Sequence, residues 1–154
     1  MPVSYSKTFR ILLVLLFLLP IFFVPGGILG LAAAKTFLLS FGVIIVALVF
    51  LWESWKRDSI DIPWHPVLFV VALLPIVYLL SALLSTPSSL SLFGYDFEVG
   101  TFGFILVVSL LLILISIVMS DTYRILGAVA ALISSFLVIA LFVVSKILTG
   151  FPTW

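Results

Sequence analysis

The chain has no cysteine and one histidine, His65, and only 8% of its 154 residues are charged. Without cysteine there are no disulfides and no thiolate metal sites, and the redox compartment is left open. A single imidazole excludes a histidine-rich metal centre. A nucleophilic triad would have to use His65, which lies in IPWHP between two prolines at a predicted membrane boundary, where an interfacial role accounts for it. The formal net charge is +1, so there is no basic footprint for nucleic acid and no acidic tail. There is also no internal repeat, no low-complexity linker and no soluble domain, and nothing in the residues calls for a cofactor. The chain reads as a single helical transmembrane domain over residues 1–154.

What the chain has in abundance is apolar surface: 65% of its residues are hydrophobic and its mean hydropathy is +1.51. Soluble domains are about 45–50% apolar, and a fold of this size has too much surface for its volume to hide the excess. Lipid must therefore be the solvent for most of the chain. A hydrocarbon core about 30 Å thick needs roughly 20 apolar residues at 1.5 Å per residue. Five runs approach that length, at about 9–29, 36–52, 67–84, 101–119 and 125–148. Backbone in lipid must satisfy its own hydrogen bonds, so each run is expected to be a helix and the fold class all-α and polytopic. Pro20 and Pro75 each remove a backbone donor inside a run and are expected to kink it. Broken helices of that kind also build transporter sites, a weaker alternative reading.

Orientation follows from the distribution of Lys and Arg. With the N-terminus inside, Lys7, Arg10, Lys56, Arg57 and Arg124 lie inside and only Lys35 and Lys146 outside, which places the C-terminus outside. Trp52, Trp55, Trp64 and Trp154 fit an interfacial aromatic belt. The start of the chain also has features of a signal peptide: Lys7 and Arg10 precede the apolar run Ile11 to Val24, and Ala32-Ala33-Ala34 resembles a cleavage site. The distance from Val24 to Ala34 argues against cleavage, and the remaining topology is the same either way.

No ionisable residue falls at a predicted midplane, where charge is costly and functional by default. Lys35 and Lys146 sit at span ends, where their stems can snorkel, and Lys35 is a candidate for a lipid phosphate or diphosphate headgroup. In the fifth span Gly127, Ala131 and Ser135 recur at four-residue spacing, a small-residue face for close packing against a helix of this chain or another. Ser109, Ser116 and Ser120 lie to one side of the fourth span, suited to bonds to backbone carbonyls or to another helix.

The loop SLSLFGYDFEVGTFG, between the third and fourth spans, gathers the carboxylates Asp96 and Glu98, the ring of Tyr95, and glycines at 94, 100 and 103. Paired carboxylates can do acid–base chemistry, but nothing local separates their pKa values. Glycine turns, a helix N-cap at Thr101 or Gly100, and acids complementing the helix dipole explain most of the stretch. Tyr95, Asp96 and Glu98 remain candidate ligand contacts, and no catalytic or metal-binding residue is assigned.

Three stretches carry a resemblance: LLFLLPIFFVP in the first span, IPWHPVLFVVALLPIVYLLSALLSTPSSLSLFG across the third span and its loop, and FEVGTFGFILVVSLLLIL opening the fourth. Together, over roughly residues 9–120, they resemble the amino-terminal part of O-antigen ligase/polymerase-like membrane proteins. The resemblance implies a scaffold for transfer of glycan from an undecaprenyl-diphosphate carrier at the outer face of a bacterial inner membrane, in cell-envelope lipopolysaccharide biosynthesis. In that family the catalytic arginines and histidine lie on a large outer loop and flanking helices of the carboxyl-terminal half, which no part of this sequence matches. No catalytic residue carries over, so the chain is expected to be either an amino-terminal part of such an enzyme or a short protein sharing its scaffold. The alternative is a non-enzymatic membrane subunit or assembly factor acting through helix packing. The expected partners are membrane lipid, a lipid-linked glycan and other transmembrane helices.

Overall fold

The computed structural model describes residues 5–22, 31–56, 66–94 and 99–149. Among these there are helices and turns and no strand. The helices are α1 (Ser6–Ile21), α2 (Leu31–Trp55), α3 (Pro66–Leu84), α4 (Ser88–Phe93), α5 (Phe102–Val118) and α6 (Thr122–Thr149). The α2, α3 and α6 helices are long and apolar enough to cross a membrane, and α5 is a shorter apolar helix. At 1.5 Å per residue, α2 and α6 extend about 37 and 42 Å, α3 about 28 Å, and α5 and α1 about 26 and 24 Å. The architecture is consistent with a helical membrane protein.

The element boundaries depart from the apolar runs in instructive ways. Helix α1 starts before the expected Phe9, so Lys7 and Thr8 are helical, and it ends at Ile21 where Phe22 turns extended. Pro20 therefore falls in the last turn of α1 instead of kinking a longer helix, whereas α3 is helical on both sides of Pro75. Residues 23–29 of the expected first span lie outside the described residues. Helix α2 begins five residues before the expected Thr36 and ends three after Trp52, taking in Lys35, Glu53 and Trp55. Hydropathy tracks where lipid can be, whereas the backbone hydrogen-bond ladder continues into the interface until something breaks it. The short α4 was not expected. It follows the cis Thr86–Pro87 bond and is tied back to α3 by Ser85, whose hydroxyl donates to Ser91 Oγ at 2.5 Å.

The helices pack in a row, α6 against α1, α1 against α2, α2 against α5, and α5 against α3, with α4 bridging α3 and α5. Burial follows from this order. Of the most apolar window in each helix, 28% is buried in α2 but only 6% in α3 and 11% in α6, the two ends of the row. The core lies along the middle, where Leu12 and Leu15 of α1 meet Val43, Val46 and Phe50 of α2, continuing to Val107, Leu114, Ile117 and Val118 of α5. Gly42 makes the α1–α2 approach possible, since a side chain there would overlap Leu15. Outward faces rich in Phe, Val, Ile and Leu on α3 and α6 are exposed, as expected of surfaces solvated by lipid or by other apolar helices.

Candidate functional site

A helix start has four backbone N–H groups without an intrahelical acceptor, and α1 is poorly equipped to satisfy its own. Its N-cap is Tyr5, no side chain caps it, and its first turn has no acidic residue. The acceptor comes from α2. The Glu53 carboxylate accepts from Lys7 N at 3.1 Å through Oε1, and from Thr8 N at 3.1 Å and Thr8 Oγ1 at 2.6 Å through Oε2. Thr8 is fully buried and Glu53 is 8% exposed. A carboxylate at this position also complements the positive end of the α1 dipole. Two residues at the base of this contact pack beside it: the rings of Tyr5 and Phe50 lie 5.0 Å apart. Next to Glu53, Ser54 is buried and its hydroxyl has no hydrogen-bond partner among the described residues.

Arg124 does the corresponding work for the second half of the chain. Its guanidinium donates to the Val118 carbonyl at 2.7 Å, satisfying the C-terminal end of α5. It also lies 3.8 Å from Asp121 and 5.6 Å from the centre of the Phe9 ring of α1. The N-termini of α1 and α6 and the C-termini of α2 and α5 thus meet at one end of the row. Trp52, Trp55 and Lys56 stand beside them, with the Lys56 amine 5.1 Å from the Trp52 ring. Both tryptophans are exposed.

The residues singled out from the sequence distribute as follows. Tyr95, Asp96 and Glu98, like His65 and Trp64, lie outside the described residues. The two glycines flanking that loop carry left-handed backbone, Gly94 at φ 68° and Gly100 at φ 97°, which glycine adopts without steric cost. Thr101 is the N-cap of α5, accepting from Phe104 N at 3.4 Å, and Gly100 precedes it. On α6, the helix facing Gly127 is α1 of this chain: a Cβ at Gly127 would stand 3.3 Å from Phe9 Cζ. Ala131 is half-buried one turn on, and Ser135 is fully buried, donating to the Leu132 carbonyl at 2.8 Å. Of the serines on the fourth span, Ser109 is buried and Ser116 half-buried, while Ser120 lies beyond the end of α5.

Lys35 is half-buried at the end of the row opposite Glu53. It lines a cleft of about 280 Å³ whose other walls are Pro20, Ile21 and Phe22 of the α1 terminus and Val138, Ile139 and Phe142 of α6. The α1–α6 pair, parallel and touching through Gly127 and Phe9 at the Arg124 end, thus opens at the other end onto a cation.

Among the described residues there is no group of three or more His, Asp or Glu that could hold a metal ion. Glu53 falls just past the expected second span, 36–52, and its role emerges only with the structure, in which α1 starts at Ser6 without a side-chain cap or an acid in its first turn. The chain matches no protein-family model, no curated protein and no solved structure.

Proposed function

We propose that the chain is a five-crossing helical module of a bacterial inner membrane, N-terminus inside and C-terminus outside. In this reading it acts as a scaffold that holds helices for a lipid-linked glycan transferase of the O-antigen ligase kind, without being catalytic by itself. One observation carries the scaffold reading: Glu53 and Arg124 are directed at helix ends of this chain. Glu53 serves the α1 N-terminus and Arg124 the α5 C-terminus. Groups used this way fix helix positions. The parallel course of α1 and α6 supports an even number of crossings from the start of one helix to the start of the other. Lys7, Arg10, Lys56 and Arg124 near the Glu53 end support that end facing inside. The lipid-linked glycan rests on the resemblance of the first, third and fourth apolar stretches.

A second reading, a non-enzymatic subunit or assembly factor, draws on the exposed apolar faces of α3 and α6 at the edges of the row. Because Gly127 already faces Phe9, a partner helix would use those edges instead of the small-residue face.

The cysteine-free sequence makes the test direct. Single cysteines replacing Lys56, Ser88 and Lys146 are labelled with a membrane-impermeant maleimide in intact and inverted vesicles. The reading expects Lys56→Cys to react only from the inside and Ser88→Cys and Lys146→Cys only from the outside; any other pattern refutes the topology. Proteoliposomes given a labelled undecaprenyl-diphosphate glycan should show transfer only with a further polypeptide added, and turnover by this chain alone refutes the scaffold role.

A further inference from the structure

We infer that the cleft between the end of α1 and the middle of α6 is a binding site for an anionic phospholipid, with its phosphate on Lys35 and an acyl chain along Phe22, Val138 and Phe142. The proposal rests on the chain being membrane-embedded, as argued above, but not on any glycan-transfer role. Charge complementarity identifies the occupant. Among the described residues lining the cleft, Lys35 is the charged one and the others are apolar. No hydrogen bond or ion pair joins its amine to another described residue. A cation this early in a helix also works against the helix dipole, since Lys35 lies within the first turns of α2, whose N-terminal end is already positive. An anion next to it meets both the amine and that end of α2.

The shape of the site selects a lipid over a soluble anion. A volume of about 280 Å³ is near the lower end of small-molecule pockets, enough for part of a ligand while the rest lies outside. The cleft is open on the side where Val138 and Phe142 are exposed, 40% and 59%, so a chain can leave along the outer face of α6. Towards the membrane interior, the exposed apolar residues Leu137, Phe136 and Ile133 of α6 continue that surface. Lys35 is at the end of the helices, where its stem reaches headgroup depth.

The test uses the full chain reconstituted in vesicles of phosphatidylcholine with a minor fraction of phosphatidylglycerol. It is then extracted gently, and the retained lipids are measured by native mass spectrometry. Resistance to alkaline carbonate extraction is recorded first, because release by carbonate refutes membrane embedding itself and with it the site. Embedded wild-type protein should retain phosphatidylglycerol over phosphatidylcholine by roughly fivefold relative to the vesicle, the factor expected of one cation near an anionic headgroup. Lys35→Gln should abolish the preference, Lys35→Arg should keep it, and Lys56→Gln, a cation at the other end, should leave it unchanged. Val138→Trp, which fills the cleft without removing the charge, should lower retention of bound lipid. An equal preference in wild type and Lys35→Gln overturns the proposal, as does full retention by Val138→Trp. Displacement of phosphatidylglycerol by soluble glycerol phosphate also overturns it, by showing that the acyl chain contributes nothing.

Discussion

Replacing Glu53 by Ala removes the acceptor that holds the first turn of α1, and the cost can be worked out donor by donor. Lys7 lies on an exposed part of the turn, so its N–H can turn to water. The Thr8 hydroxyl can turn to the carbonyl of Tyr5, three residues before it. The Thr8 N–H has neither option, because the residue is fully buried. A buried donor left without an acceptor costs about 1–3 kcal/mol, and loss of a partly buried charge at a helix terminus costs up to about 2 kcal/mol more. The carboxylate's own desolvation is relieved, which offsets part of this, so the net expectation is about 3 kcal/mol. Glu53→Gln keeps one oxygen where Oε2 lies, leaving both Thr8 donors bonded, and should cost only about 1–2 kcal/mol. Unfolding in mild detergent can be followed by tryptophan fluorescence, since Trp52 and Trp55 flank Glu53. Amide hydrogen exchange at Lys7 and Thr8 adds the local reading: 3 kcal/mol corresponds to roughly a hundredfold faster exchange through opening. If Glu53→Ala unfolds within about 0.5 kcal/mol of wild type, the contact contributes no more than an ordinary surface residue and the reasoning fails. Equal losses for Ala and Gln would instead assign the effect to charge and not to the hydrogen bonds.

Other perturbations follow from the same contacts. Gly127→Leu should force Phe9 and its helix away from α6 and cost about 1–3 kcal/mol in detergent unfolding, whereas Gly127→Ala needs only a small shift of the ring; equal stability of Leu and Gly would count against the α1–α6 packing. Arg124→Gln leaves the Val118 carbonyl short of its donor and removes the cation from the Phe9 ring, so unfolding should show a loss of about 1–3 kcal/mol, absent in Lys146→Gln. Thr101→Ala should destabilise α5 by only about 0.5–1 kcal/mol, the low end for an N-cap because its 3.4 Å bond is long, and exchange at the Phe104 amide should rise accordingly. Thr8→Val should lose about 1–2 kcal/mol, and in the double variant with Glu53→Ala the two losses should fall short of their sum, because both remove the same hydrogen bond.

Several local features were legible in the sequence. Thr101 as a cap and the glycines on either side of the 95–98 loop could be read because a turn and a helix start depend on residues within a few positions of each other. The third apolar run corresponds to α3 within a residue, since Pro66 marks its start and Ser85 follows its end. Glu53 could not be read in the same way. Its partner Thr8 is 45 residues away, and as a charged residue Glu53 fell just outside the second apolar run, 36–52. The small-residue spacing of Gly127, Ala131 and Ser135 announced close packing, but the identity of the facing helix is not encoded in the spacing.

By itself the sequence determined that the chain is helical and built for an apolar solvent, because mean hydropathy and run length are sums over neighbours and need no knowledge of the fold. It also set which positions could approach closely, through glycine and small residues, and the turn positions of Gly94 and Gly100. Only the tertiary structure decided the order of the helices in the row, and hence which faces are covered. It turned Glu53 into the cap of a helix it does not belong to and set Arg124 between three helices. It also left Lys35 beside an apolar cleft instead of alone at a helix end. The physical reason is the same in each case. A buried polar group must find its partner through space, and which residues are near in space is settled by packing, not by their distance along the chain.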